Sequence, residues 1–187
     1  GGAFANAPGD AITIYYDVKQ AFAGVTYLDT ANVTTRDTIY GVLLDGSNNA
    51  YICGAFKTVQ KFDTNGVMTI LGSIFADTAR CIALNPSNGS IWIGGDNGLL
   101  AGWNGSQWNV IDTDTTAAVY ALAWDDSNNL YIGGAFTTIG GVDAEGIARL
   151  SGDAFYQMDI DLPGTPTVYA ILVDGAEITI GFSTAGS

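Results

Sequence analysis

Along the whole chain, apolar residues either alternate with polar ones or run in short stretches, and each stretch is bounded by Gly, Asn, Asp or Ser. This is the pattern of half-buried and fully buried strands joined by tight turns, and no segment carries helical periodicity. Four stretches repeat nearly the same wording: TIYGVLLDGSNNAYICGAF from Thr38, ARCIALNPSNGSIWIGGDN from Ala79, VYALAWDDSNNLYIGGAF from Val119 and VYAILVDGAEITIGF from Val168. Each reads as an apolar strand, an Asx/Ser/Gly turn, and a second strand ending in a small residue beside a glycine.

The spacing of these copies sets the architecture. Counting by the glycine that ends the second strand, Gly54 to Gly95 is 41 residues, Gly95 to Gly134 is 39 and Gly134 to Gly181 is 47, while the opening GGAF places Gly2 52 residues before Gly54. A period of this length holding only strands predicts an all-β propeller of four-stranded antiparallel blades, because strand solenoids use shorter periods. In the third repeat the expected strands A to D are 119–124, 130–136, 146–150 and 155–159, with the A to B turn at 125–129. The second repeat matches it, laying Trp103-Asn-Gly-Ser-Gln-Trp108 over Leu150-Ser-Gly-Asp-Ala-Phe155.

This wording resembles the kelch-like, galactose-oxidase-type propeller repeats of bacterial surface proteins and phage virion proteins, whose unit runs LYVGG.FTT.GG....IA.WDG..W..L. The likeness is close for YIGGAFTTIGGVDAEGIARLSGDAF, looser elsewhere, and spans most of the chain. It implies a fold and says little about activity.

The expected domain is single, 1–187, with blades at about 36–74, 79–112 and 118–160. The segments 1–30 and 167–187 would share a closing blade, AITIYYD and AFAGVTYLD supplying strands C and D beside strands A (168–173) and B (177–182) from the other end. A ring closed this way has no open edge. The alternative is a slice of a longer array, since GGAF and ITIGF both claim the B position.

Composition fits a compact extracytoplasmic β domain: 48% of the residues are apolar, and no apolar run approaches the ~20 residues that span a bilayer. The chain carries neither an initiator Met nor a signal peptide, which suggests a processed or excised portion. Nineteen acidic residues against 6 basic ones give a net charge of −13, which repels phosphate backbones and anionic lipid surfaces, so neither nucleic acid nor membrane insertion is expected.

There is no histidine. The copper site implied by the galactose-oxidase resemblance therefore cannot be carried over, and His-dependent nucleophile systems and ordinary zinc sites are excluded. Only Arg36, Arg80 and Arg149 could form a sialidase-type arginine cluster, and they are scattered; no carboxylate pair is singled out for glycosidase chemistry. The chain reads as a non-enzyme needing no cofactor, with Ca²⁺ the one open option.

Repeat columns supply the candidate residues. Cys81 aligns with Gly41, Ala121 and Ala170 on strand A, and Cys53 with Gly94, Gly133 and Gly181 on strand B, so both cysteines read as space-filling thiols, with an inter-blade disulfide as the alternative. The A to B hairpins DGSNNA, NPSNGS, DDSNNL and DGAE are rich in oxygen ligands, as tight turns are for backbone reasons alone. The D to A connections would gather Asp29, Asp37, Asp77, Asp112, Asp114, Asp159 and Asp161 on one face, either as a solvated rim or as a Ca²⁺ site in which Asp112, Asp114, Asp159 and Asp161 are the candidate ligands. Just before the small position of strand A stand Tyr40, Arg80, Tyr120 and Tyr169, one per blade; they would line the channel mouth and bind a sugar or a partner, or else pack between blades. Trp92, Tyr131, Tyr51, Trp108 and Phe155 read as core, and the sequons at Asn32, Asn88 and Asn104 as chance in an Asn/Ser-rich chain.

The function expected is a non-catalytic module on a virion or cell surface, extracellular, recognising a glycan or protein. The alternative is a structural decoration, spacer or filament subunit that contacts copies of itself, and a glycan-active enzyme ranks last.

Overall fold

The computed structural model describes residues 38–72 and 75–184. Three four-stranded antiparallel sheets follow one another in sequence. Blade one comprises β1 (Ile39–Leu44), β2 (Ala50–Gly54), β3 (Val59–Phe62) and β4 (Met68–Leu71), and blade two β5 (Ala79–Leu84), β6 (Ile91–Gly95), β7 (Leu100–Trp103) and β8 (Trp108–Val110). Blade three is built from β9 (Val119–Trp124), β10 (Asn129–Gly134), β13 (Ile147–Ser151) and β14 (Ala154–Gln157). A fourth, two-stranded unit follows, β15 (Pro166–Asp174) with β16 (Glu177–Thr184).

The expected strands of the repeats are present. One difference lies in the segment TTIGGVDAEG, expected as a plain B to C loop, which folds as a small hairpin of β11 (Thr138–Ile139) and β12 (Val142–Asp143). Its turn is Gly140-Gly141, both at positive φ, and a Cβ on Gly140 would lie 2.0 Å from the Phe155 ring. Paired glycines are what such a tight turn requires. The amino-terminal strands expected to complete the fourth blade, within 1–30, lie outside the described residues.

Strands A of successive blades (β1, β5, β9, β15) lie side by side, and each strand B packs on the next strand A. The interfaces between blades are the core. Between blades one and two it contains Cys53, Val59, Ala79, Ile91, Ile93 and Ala101, and around blade three Leu100, Val119, Ile132, Phe136 and Leu150. The small columns read from the sequence are cross-strand partners in every repeat: Gly41 with Cys53, Cys81 with Gly94, Ala121 with Gly133, Ala170 with Gly181. Their size is complementary to the neighbouring blade. Gly94 and Gly133 have no side chain where a Cβ would lie 2.4 Å and 2.7 Å from the methyls of Val119 and Val168. Blade one instead carries Cys53, and the next strand A opens with the smaller Ala79. Both cysteines are free thiols, so the inter-blade disulfide does not form. Burial pushes the Cys53 thiol up to about 12, and burial with Cys53 as neighbour raises Cys81, which keeps both protonated and unreactive.

The second glycine of each pair has a different task. The residues after it, Ala55, Asp96 and Ala135, donate their N–H to the carbonyls of Thr38, Thr78 and Ala118, at 2.9, 3.0 and 3.0 Å. Those same carbonyls would lie 2.1, 2.0 and 2.3 Å from a Cβ on Gly54, Gly95 and Gly134. The clash is with backbone, which cannot swing aside. Gly95→Ala should therefore cost about 1–3 kcal/mol or more as an overpacked substitution. Thermal melts should show a fall of about 2–4 °C per kcal/mol. Gly46, which has nothing within 4 Å of its Cβ position, should accept Ala with an unchanged Tm; equal behaviour of the two variants would refute the clash.

Candidate functional site

Every strand A carries a β-bulge at the same place. Pairing steps from Ile39–Gly54 to Gly41–Cys53, from Ala79–Gly95 to Cys81–Gly94, from Val119–Gly134 to Ala121–Gly133, and from Val168–Phe182 to Ala170–Gly181. The residues skipped are Tyr40, Arg80, Tyr120 and Tyr169. A bulge leaves its extra residue unpaired and re-aims its side chain, so one large polar side chain per blade turns out of the ladder at the head of the innermost strand.

These four side chains meet in a row. The Arg80 guanidinium carbon lies 5.0 Å from the centre of the Tyr40 ring and 5.8 Å from that of Tyr120, and the rings of Tyr120 and Tyr169 are 5.1 Å apart at 33°. Arg80 is held by Asp96, its Nε donating to Oδ1 and its Nη2 to Oδ2 at 3.0 Å, the two-point geometry that fixes a guanidinium plane. Arg80 and Asp96 keep 31% side-chain exposure, and Tyr40 and Tyr169 at the two ends are 44% and 54% exposed. The row is thus a continuous run of cation–π and ring contacts from Tyr40 through Arg80 and Tyr120 to Tyr169. Asp96 was missed by the sequence reading. The signal was there, since Asp96 occupies the position of Ala55 and Ala135, and the acid appears only in the blade whose bulge residue is Arg.

The acidic residues of the D to A connections behave differently. Asp29 and Asp37 lie outside the described residues. Asp77 Oδ1 accepts Asn97 Nδ2 at 2.6 Å, and Asp112 Oδ1 accepts the backbone N–H of Asp114 at 3.1 Å, a local turn. Asp159 and Asp161 are exposed. Among the described residues no three Asp, Glu or Cys side chains converge in one group.

In the A to B hairpins the oxygen ligands serve the turns. Asp45 Oδ1 accepts the N–H of Ser47 and Asn49 at 2.8 and 2.9 Å, while its Oδ2 accepts Asn49 Nδ2 at 2.7 Å and the Tyr51 hydroxyl at 2.9 Å. Asp125, Ser127, Asn129 and Tyr131 repeat that set at 2.7–3.2 Å. In blade two Asn85 stands where the others have Asp. It is 2% exposed, and its Nδ2 donates to Asn128 Oδ1 at 2.7 Å, tying two hairpins together with a donor that a carboxylate lacks.

No family model and no curated protein sequence matches this chain. Solved structures do. A domain described as the extracellular part of a hybrid two-component system from B. thetaiotaomicron superposes with a TM-score of 0.65 at 16% identity, over 83% of this chain and 22% of that one. YCF48 from Cyanidioschyzon merolae gives 0.60 at 13% identity, over 79% and 48%, and virginiamycin B lyase from Staphylococcus aureus 0.52 at 12%, over 71% and 44%. The fold is a β-propeller. The chain spans less than half the length of each of these neighbours, and likeness at this level of identity concerns the fold alone.

Within this propeller the Asp-centred hairpins make stability depend on pH. Partial burial acts to raise the Asp45 and Asp125 carboxyls, and the hydrogen bonds from Asn49 and Tyr51, or Asn129 and Tyr131, outweigh it and lower both. A carboxyl lowered on folding stabilises above its unfolded value of about 3.9, and that contribution is lost as pH falls through the folded value. The double variant Asp45→Ala/Asp125→Ala should melt below the parent at pH 7 and lose less Tm than the parent between about pH 4 and 2. Parallel Tm curves for the two proteins would show that these turns do not set the acid limb.

Proposed function

We propose that this chain is a non-catalytic, extracellular or virion-surface interaction module that binds a glycan or protein partner through the axial row Tyr40–Arg80–Tyr120–Tyr169. The observation that carries this reading is the coincidence of four bulges with four large amphipathic side chains set in contact, with Arg80 among them oriented by Asp96. Tyr and Arg carry binding energy out of proportion to their number because they bring large, stiff area with a polar tip. Rigid strands beneath the row keep the ordering cost of binding low. The extracellular placement draws on the bacterial sensor domain that shares the fold, and the virion or cell-surface placement on the kelch-like wording of the third repeat. The non-catalytic reading rests on composition. One propeller neighbour is a lyase, and a His-to-Ala variant of it is described as catalytically inactive; this chain has no histidine to take such a role. Among the described residues no helix is long and apolar enough to cross a membrane.

Screening the protein against arrayed glycans and surface proteins should return a ligand whose binding drops at least tenfold, about 1.4 kcal/mol, in Tyr40→Ala/Tyr169→Ala. Both side chains are substantially exposed, so the variant should fold normally. Retention of every hit at parental affinity would remove the row from the site.

A second reading, self-association, is favoured by the face of the last unit. Leu172, 64% exposed, lies with Ala170, Thr179 and Gly181 on the side of β15 and β16 turned away from blade three. In the other blades this side packs on the next blade, so a second copy can cover it here. Sedimentation velocity over a concentration series should then show growing species that Leu172→Asp abolishes; a monomer at every concentration would rule this out.

A further inference from the structure

The gap between blades one and two is far larger than its counterpart between blades two and three. The first is a cleft of about 1020 Å³, the second a cavity of about 130 Å³. The repeat explains the difference residue by residue. Between blades two and three, Trp92 and Trp124 meet edge to face with ring centres 5.5 Å apart and fill the space. Between blades one and two the same columns hold Tyr51 and Leu84, so no ring pair forms there: Tyr51 lines the cleft with its hydroxyl bonded to Asp45, and Leu84 packs into the core beneath. A cleft of this volume sits at the upper end of the range of small-molecule sites, about 300–1,000 Å³.

The chemistry of its walls is specific. In a chain of net charge −13, the cleft is lined by one cation, Lys61, and one anion, Asp63, so it is electrically balanced. The remaining polar walls are neutral amides and hydroxyls, Asn109 and Thr69 among them, and they offer both donors and acceptors. Asn88 Oδ1 is taken by the N–H of Ser90, and Asn104 Oδ1 by the N–H of Ser106 and Gln107, so each presents its Nδ2. The tryptophans divide in the same way. Trp92 donates to Ser90 Oγ at 3.1 Å, Trp108 to the Leu71 carbonyl at 2.8 Å, and Trp124 Nε1 is buried; Trp103, half-buried on the cleft wall, keeps an N–H that is neither spent nor sealed. Lys61 lies 5.6 Å from the centre of the Tyr51 ring.

We infer that this cleft binds a neutral oligosaccharide. A sugar offers apolar C–H faces to aromatic walls, a dense set of acceptor oxygens to the free donors, and no net charge to a balanced site, whereas a polyanion would face the acidic molecule around it. The proposal names a site distinct from the axial row, and either can fail while the other stands.

The test uses the four tryptophan indole N–H signals of the ¹⁵N-labelled chain. Soluble neutral oligosaccharides of the β-glucan, α-glucan, mannan, xylan and chitin types are titrated to about 10 mM, tenfold above a millimolar Kd. At least one should shift the Trp103 indole in a saturable way, and Trp103→Ala should weaken its binding at least about tenfold. Because Trp103 also packs on Trp108, with ring centres 5.3 Å apart, a second variant guards against unfolding. Thr69→Tyr copies blade three, where Tyr156 pairs with Arg149 and lies 4.8 Å from its guanidinium, and it should lay a ring against Lys61 on the blade-one wall and fill the cleft, with Tm unchanged and binding lost. Tyr40→Ala/Tyr169→Ala should leave the saccharide shift intact. No shift of the Trp103 indole with any sugar, a shift that survives Thr69→Tyr, or loss of binding in the axial variant instead would each overturn the proposal.

Discussion

The close approach of one backbone to another, at the point where strand B ends, governs most of what this molecule does. The carbonyl that leads into each strand A reaches over the end of strand B and accepts the next N–H, and the approach leaves no room for a Cβ on Gly54, Gly95 or Gly134. It occurs where the pairing of strand A skips a residue. The bulge, the glycine and the carbonyl bond are therefore one device used three times. Without the glycine the lead-in would be displaced, and without the bulge the Tyr and Arg side chains would lie in the ladder like any other strand residue. The fourth unit shows what is left when part of the device is missing: Phe182 replaces the glycine while the bulge at Tyr169 persists.

The features legible in the sequence are those that depend on column identity. Period, strand order, hairpin turns and the pairing of the two small columns all follow from aligning one repeat on another, because a repeat architecture imposes the same steric problem at the same position each time. The row Tyr40, Arg80, Tyr120 and Tyr169 was visible for that reason, although its physical basis, a bulge, was not; a bulge changes pairing without leaving a mark in hydrophobic alternation. The mini-hairpin of β11 and β12 was hidden because its strands are only two residues each, too short to express a period of two.

The acidic A to B turns show what geometry adds to a turn already legible in the sequence. Oxygen-rich turns attract a metal reading because the side chains that hold cations are also the side chains that cap their own backbone. In Asp45 and Asp125 each carboxylate accepts four donors from its own hairpin, Tyr51 or Tyr131 included. With its lone pairs engaged in this way, a carboxylate has little left for an ion. Sequence supplies the count of oxygens; only geometry shows what they are bound to.

The departures between repeats carry the functional content, since the conserved columns are answers to the common packing problem. Arg80 interrupts a column of tyrosines and brings Asp96 with it where the neighbours have Ala; Leu84 stands in the column of Trp124, so the ring pair that joins blades two and three has no counterpart between blades one and two. Each change departs from its neighbours, one placing a charge pair beside aromatic rings, the other leaving no ring pair beneath the open cleft at blades one and two. A scaffold whose other interface shows that the better-packed solution is available at that very position has little structural reason to retain the open one. That asymmetry within a single chain is a stronger pointer to a site than any single residue lining it, because each blade serves as the control for the next.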